Sequence, residues 1–242
     1  PVCGNFNWTP IRQFHLMFQT SRDITGGADD VIYLRPETAQ GEFVNFMNVQ
    51  RTTRAKVPFG IGQIGKAFRN EITPGNFTFR TIEFEQMEYQ TFCKEGNDEE
   101  LYEYFKEYGK KFYMDLGLPS DKLRYHDHDK LAHYAKAACD IEYLFPMGWE
   151  ELHGIHHRGD WDLSRHQQYS GKSMVYTDPY TNEKYIPYNV EPALGADRLA
   201  AAVGVAALYP NRDIMIVDFG TAITIDFVED GAFKGGNISP GV

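Results

Sequence analysis

Apolar and polar positions along this chain follow two spacings. Phe59 to Glu71 is β-like with several glycines, and Arg80 to Phe92 alternates and is rich in β-formers, with the turn chemistry of Thr73-Pro74-Gly75-Asn76 between them. This predicts two antiparallel strands joined by a loop over 59–92. Val31 to Arg35 and Tyr185 to Val190 predict short strands. Thr38 to Lys56 has no Gly or Pro after Gly41 and predicts a helix. The aromatic series over 102–113 recurs at helical spacing, so a helix from Asp98 to about Leu116 would turn that stripe to the core. Asn97 with Glu100 forms a capping-box pattern at its start, and Gly117 with Pro119 ends it. Residues 1–30 read as loop-like, 123–158 as short strands with a helix near 129–138, and Asp160 to Tyr169 as a short polar helix. Gly195 to Leu208 reads as an Ala-rich helix. Ile214 to Phe219 and Ile223 to Val228 read as apolar strands joined through Gly220-Thr221.

The chain has 242 residues, 42% of them hydrophobic, which suffices for a large core. Its formal net charge of -10 argues against a generally sticky nucleic-acid binder and leaves room for a local basic patch. No run of about 18 apolar residues exists, so no membrane-spanning helix is expected. Cys3, Cys93 and Cys139 are scattered and odd in number, which fits a reducing cytoplasmic setting and small core side chains. Composition shifts near residue 195 from aromatic and charged to rich in Ala, Gly, Ile and Val, a candidate domain boundary. Both ends read as cut from something longer.

The chemistry concentrates between residues 35 and 92. Arg69 and Glu71 lie two apart, so on a strand they share a face. Arg80, Phe84 and Glu88 are spaced by four and share one as well. Two neighbouring strands would thus offer arginine forks for phosphate oxygens, a ring for a flat base and a carboxylate for an ammonium group. The same spacing also fits a solvated sheet face with cross-strand ion pairs. His126-x-His128 with His133, and His153-x-x-His156-His157, cluster without the four-ligand pattern of a zinc site.

Gly65-Lys-Ala-Phe-Arg-Asn-Glu71 and Arg80-x-x-x-Phe84-x-x-x-Glu88 resemble motif 2 of the class II aminoacyl-tRNA synthetases. Tyr33-Leu-Arg-Pro-Glu-Thr-Ala-Gln-Gly41 and Phe79-Arg-Thr-Ile-Glu-Phe-Glu-Gln-Met-Glu88 resemble the dimeric glycyl-tRNA synthetases in particular. So do Gly148-Trp149, Arg158, Asp162-Leu163 and Ser170-Gly171-Lys172, and the likeness covers about residues 1–198. It implies an α+β fold, a mixed, mainly antiparallel sheet flanked by helices, that activates glycine with ATP and transfers it to tRNA(Gly). The resemblance implies that Arg69 stabilises the α-phosphate, Arg80 and Arg198 grip the terminal phosphates, and Glu71 and Phe84 hold the adenine. It implies Glu191 as the holder of Mg2+ with ATP, and Glu37 and Glu88 as binders of the glycine ammonium. Glu151 and Arg158 would line the glycine side of the adenylate pocket. The chain departs from the family at Gly75 and Ile82, where Arg is usual or frequent, at Gly159, where Thr is frequent, and at Ala193, where Ser helps bind glycine. Motif 1, the family's homodimer interface, and the anticodon-binding domain are expected to be missing.

From about Leu194 a second likeness begins. Leu194-Gly-Ala-Asp-Arg-Leu-Ala200, Val217-Asp-Phe-Gly-Thr-Ala-Ile-Thr-Ile-Asp226 and Gly235-Gly-Asn-Ile-Ser-Pro-Gly241 resemble type III pantothenate kinase, an actin-like fold. That resemblance implies Asp197 as a general base, Arg198 as a pantothenate contact, and Gly220, Thr221 and Thr224 at a phosphate site. The expectation is therefore a synthetase core over 1–193 joined to a partial kinase segment over 194–242, an appended β-hairpin. A non-catalytic chimeric remnant that binds ATP at most is the alternative.

Overall fold

The stretches of alternating polarity pair as strands, and the helices dock on them through aromatic stripes. The computed structural model describes residues 13–22, 30–75, 79–145, 148–200, 203, 214–219, 222–229 and 232–240. Strands β1 (Gln19–Ser21) and β2 (Val31–Tyr33) pair antiparallel. Helix α1 (Ala39–Thr53) leads into β3 (Phe59–Phe68) and β4 (Glu83–Cys93), and α2 (Asp98–Asp115) into β5 (Leu123–Asp127), β6 (Ala137–Phe145) and β7 (Gly148–Gly159). After α3 (Trp161–Ser170) come β8 (Tyr176–Thr177), β9 (Lys184–Tyr185) and β10 (Tyr188–Gly195). Residues 196–200 and 203 are helical. Strands β11 (Ile214–Phe219), β12 (Ala222–Glu229) and β13 (Ala232–Pro240) follow.

The main sheet has six strands in the order β3-β4-β10-β7-β6-β5, and each of its ladders is antiparallel. β10 is therefore a late strand of the chain inserted at the centre, between β4 and β7. Two cores form against the sheet. In one, α2 supplies Tyr102, Phe105 and Tyr113 to Leu123, Ile141, Leu152, Ile155 and Val190, with Leu199 and Val203 packed alongside. In the other, Phe43 and Phe46 of α1 meet Phe92, Leu163, Met174 and Tyr176. The Phe46 and Phe92 ring centroids lie 4.6 Å apart. Cys93 and Cys139 are buried free thiols, each pushed up to about 12 by burial, as suits small core side chains. No helix among the described residues is long and apolar enough to cross a membrane.

The structure departs from the sequence expectations at several elements. β1 forms inside the stretch expected to be loop. The capping box is absent: the Asn97 side chain makes no cap bond, and the Gly96 N–H donates instead to the Asp98 carboxylate at 2.6 Å. Residues 128–136 form turns, not a helix. The sheet holds both ends of that segment, the His128 N–H donating to the Ala138 carbonyl at 3.0 Å and the Lys136 N–H to that of His157 at 2.7 Å. Gly195 ends β10, so the following helix begins at 196. The β11–β12 hairpin is completed by β13 into a three-stranded sheet, despite the low strand preference of Gly235-Gly236-Asn237.

Candidate active site

Register builds the site. Glu88 of β4 lies opposite Ala193 of β10, Ala193 opposite Gly154 of β7, and Gly154 opposite Asp140 of β6. Residues directly opposite project to the same side of a sheet. The period of two then adds Phe84 and Gln86 from β4, Glu191 from β10, and His156 and Arg158 from β7 to that face. These residues line a cavity of about 310 Å³ together with Glu37, Arg69, Glu71, Arg80, Glu151, Asp197 and Arg198. Every residue that the synthetase likeness singled out is in that list. Ala193 and Gly154, side by side in the register, add little or no side chain to that face. A Cβ on Gly154 would come within 2.8 Å of the His156 ring.

One wall is acidic and buried. Glu88 is 6% exposed and accepts from the Thr38 N–H at 2.9 Å and from its hydroxyl. Burial, with the charges of Glu191 and Glu37 nearby, pushes its carboxyl up to about 7. Behind it, Glu42 of α1 is raised to about 8, chiefly by burial and next by Glu88. Glu191 goes the other way. Although burial opposes ionisation, the Arg158 guanidinium at 2.9 Å and His156 Nδ1 at 3.2 Å hold its carboxyl well below the usual range. The Gln90 amide also donates to Glu191. Arg158 in turn forks onto Asp162 at 2.7 and 3.0 Å and lies 4.1 Å from the Tyr134 ring centroid. Two carboxylates thus hold its guanidinium charged despite burial.

A second group of lining residues is cationic. Arg69, just past the end of β3, donates to the Pro36 carbonyl at 3.1 Å and sits 5.2 Å from the Phe84 ring centroid. Arg80 pairs with Glu71 at 3.4 Å. Arg198 donates to the carbonyls of Phe79 at 2.8 Å and Glu151 at 3.2 Å, and lies 4.1 Å from the Phe79 ring centroid. Burial, with the Arg80 and Arg69 charges, lowers its affinity for a proton. Three guanidinium groups therefore line the same cavity as these carboxylates. An ammonium group suits the carboxylates and an anionic chain of phosphates the arginines.

The magnesium role expected of Glu191 does not fit this geometry. Its carboxylate is 3% exposed and already engaged by Arg158, His156 and Gln90, so it serves as the counterion that positions Arg158. Among the described residues no group of three or more His, Cys, Asp or Glu is placed to hold a metal ion. The clustered histidines pair singly with acids: His126 with Glu142 and His128 with Asp140, each at 2.7 Å. His153, fully enclosed, is pushed down to about 4 by burial. Sequence reasoning missed Phe79, His128, Tyr134, Asp140 and His156 as lining residues. His156 shares a strand face with Arg158 by alternation alone, whereas Asp140 needs the register of β6 on β7, His128 lies past the end of β5, and Tyr134 lies in a turn that the sequence pattern placed in a helix.

The kinase-like candidates separate. Asp197 lines the same cavity and accepts from the Glu85 N–H at 2.7 Å, an anchoring bond between β4 and the helix at 196. Gly220 and Thr221 lie outside the described residues. Thr224 sits in β12, opposite Asp218 and Ile238, in a sheet that shares no ladder with the six-stranded one among the described residues. Leu194 and Gly195 pair with Met87 and Gln86, so the six-stranded sheet runs past residue 193.

The chain superposes on Giardia lamblia prolyl-tRNA synthetase in complex with prolyl-adenylate with a TM-score of 0.60 at 16% identity, over 76% of this chain and 36% of that one. The fold is that of a class II aminoacyl-tRNA synthetase. In sequence, the chain is 61% identical to the glycine–tRNA ligase of Clostridium acetobutylicum over 204 residues, 84% of this chain and 44% of that protein. It is 56% identical to the glycine–tRNA ligase of Agathobacter rectalis over 216 residues, 88% of this chain and 46% of that protein. The chain thus spans less than half the length of these curated relatives. A family model described as type III pantothenate kinase matches residues 165–242. That match starts within α3 of the class II fold, well before the expected boundary at 194.

Proposed function

We propose that the cavity binds ATP and glycine and forms glycyl-adenylate, which is passed on to tRNA(Gly). A glycine carboxylate oxygen attacks the α-phosphorus, the bond to the β-phosphate oxygen breaks, and pyrophosphate leaves. No side chain need carry a proton, so the rate comes from positioning and charge neutralisation. Arg69 meets the charge growing on the α-phosphate. Arg80 and Arg198 take the terminal phosphates, and Phe84 with Glu71 the adenine. Glu37 and Glu88 hold the ammonium of glycine, and Glu151 and Arg158 close its side of the pocket. Magnesium would arrive with the nucleotide. The observation that carries the reading is convergence: ten side chains from several elements of the sequence, arginines and carboxylates among them, line one cavity. The test is glycine-dependent ATP–pyrophosphate exchange on the chain, with Arg69→Ala as control. Exchange that needs glycine and drops by about 10²-fold or more in the variant supports it. A folded chain without exchange is the non-catalytic remnant.

A second reading concerns the tail alone: the chain joins two ancestries near Gly195-Ala-Asp-Arg198, the short segment that both likenesses share, although the match to the kinase model begins earlier, at residue 165. Two domains, 1–193 and 194–242, express that reading. With the kinase likeness limited to the chain's last third, no pantothenate-dependent release of ADP is expected. Such release, measured in a coupled assay, would restore kinase activity as a candidate. Sequencing single DNA molecules across codons 185–205 separates a natural fusion from an assembly error.

A further inference from the structure

With the ammonium of glycine between Glu37 and Glu88, the hydrogen-bonding capacity open to it can be counted. Both bonds from Thr38, its N–H and its hydroxyl, go to one oxygen of Glu88, Oε2. Glu37 accepts the Gln40 amide on Oε1 at 2.9 Å. Among the described residues, Oε1 of Glu88 and Oε2 of Glu37 take no hydrogen bond. Glu191, on the same face, is already engaged by Arg158, His156 and Gln90. One nitrogen cannot aim two well-aligned N–H bonds at a single oxygen. The two free oxygens therefore serve two N–H groups.

The next side of that spot is apolar. Ala193 of β10 stands directly opposite Glu88 of β4, and both line the cavity. Side chains so paired hold their Cβ atoms about 4.5–5.5 Å apart, so a group bound at Glu88 lies against the Ala193 methyl. Beyond Ala193 comes Gly154 of β7, which adds no side chain. Gln86 Oε1 is a buried acceptor without a partner, but Gln86 pairs with Gly195. That is two places along β10 from Ala193, about 7 Å away. A primary ammonium carries three N–H donors, and its third would meet the Ala193 methyl. A secondary ammonium carries two N–H donors and a carbon substituent, which matches two free oxygens and an apolar slot. A site that hydrogen-bonds every N–H of its substrate rejects an analogue lacking one by about 10⁴-fold or more. A methyl group placed against a methyl group meets no such barrier.

We propose that the cavity accepts N-methylglycine as well as glycine, its two N–H groups on Glu37 and Glu88 and its methyl group against Ala193 and Gly154, so that Ala193 sets this tolerance. The proposal rests on reading the cavity as a site that activates an amino acid with ATP. The step is the same for both substrates. A carboxylate oxygen bonds to the α-phosphorus, the bond to the β-phosphate oxygen breaks, and that oxygen leaves with the electron pair as pyrophosphate. The test is ATP–pyrophosphate exchange on the full chain with each amino acid, and on Ala193→Ser and Ala193→Gly. In the unmodified chain kcat/KM for N-methylglycine is expected within about tenfold of that for glycine. Ala193→Gly should keep both. Ala193→Ser supplies an acceptor for the third N–H and crowds the methyl group, so it should shift the ratio about tenfold or more toward glycine. A wider gap between the substrates in a chain that activates glycine, or a ratio indifferent to Ala193→Ser, overturns the proposal. Equilibrium dialysis with the two labelled amino acids in the presence of ATP needs no chemistry and separates the two readings. In a chain that exchanges neither, comparable binding of both, shifted toward glycine by Ala193→Ser, keeps the slot and removes the activation reading. Binding of glycine alone, or of neither, overturns the proposal.

Discussion

Glu88 makes glycine recognition depend on pH in a way that can be worked out beforehand. Its carboxyl titrates near 7 in the folded chain, because burial and the Glu191 and Glu37 charges disfavour its ionised form. The ammonium of free glycine keeps its proton through this range, and it needs Glu88 ionised. Below about pH 7 each unit of acidification should therefore raise the KM for glycine about tenfold, and above it the KM should level off. Folding stability moves in the opposite direction. The folded value lies above the ordinary 4.5, so the folded chain keeps a proton that the unfolded chain has lost. This contribution is full below about pH 4.5 and fades as pH rises to about 7. Some 2.5 pH units at about 1.4 kcal/mol each give roughly 3 kcal/mol. The assay is pyrophosphate exchange against glycine concentration from about pH 6 to about pH 8, with denaturant unfolding over the same range. Glu88→Gln should give a high, pH-independent KM and remove this part of the stability slope. A KM that stays flat with pH in the unmodified chain would refute the assignment of Glu88 to the ammonium.

Other outcomes follow from the same geometry. Ala193 stands directly opposite Glu88, so Ala193→Ser adds a hydroxyl acceptor beside the ammonium and should lower the KM for glycine about fivefold, one added hydrogen bond being worth about 1 kcal/mol. An unchanged KM in exchange kinetics would place the ammonium elsewhere. Arg158→Met leaves Asp162 and Glu191 buried without their cation and should cost about 3–5 kcal/mol in denaturant unfolding. A loss under about 1 kcal/mol would mean that water reaches that pair. Phe92 is fully buried among Phe43, Phe46 and Phe59. Phe92→Ala should lower stability by about 3–5 kcal/mol, and a near-neutral result would mean that the sheet and α1 do not pack as described.

The sequence by itself determined the local elements and the chemical inventory. Alternation over 80–92, with the β-like run over 59–71 and the turn chemistry between them, specified the β3–β4 pair because a strand's period of two and a turn's residues are local properties. The aromatic stripe of α2 specified which side of that helix is buried, again by local spacing. Motif likeness, which is dense between 33 and 88, pointed to ten residues that all line the cavity, and it did not point to Phe79, His128, Tyr134, Asp140 or His156. Tertiary structure decided what depends on register and on who pairs with whom. That β10 lies between β4 and β7, nearly a hundred residues after β4, brings Glu191 and Ala193 beside Glu88, and no local spacing could announce it. Pairing also overrode local preference where the sheet claimed both ends of 128–136, and it drew Gly195 out of the expected helix into a strand. The surroundings of Glu191 were likewise a matter of tertiary structure: its buried carboxylate is enclosed by Arg158, His156 and Gln90, partners that burial of a charge demands.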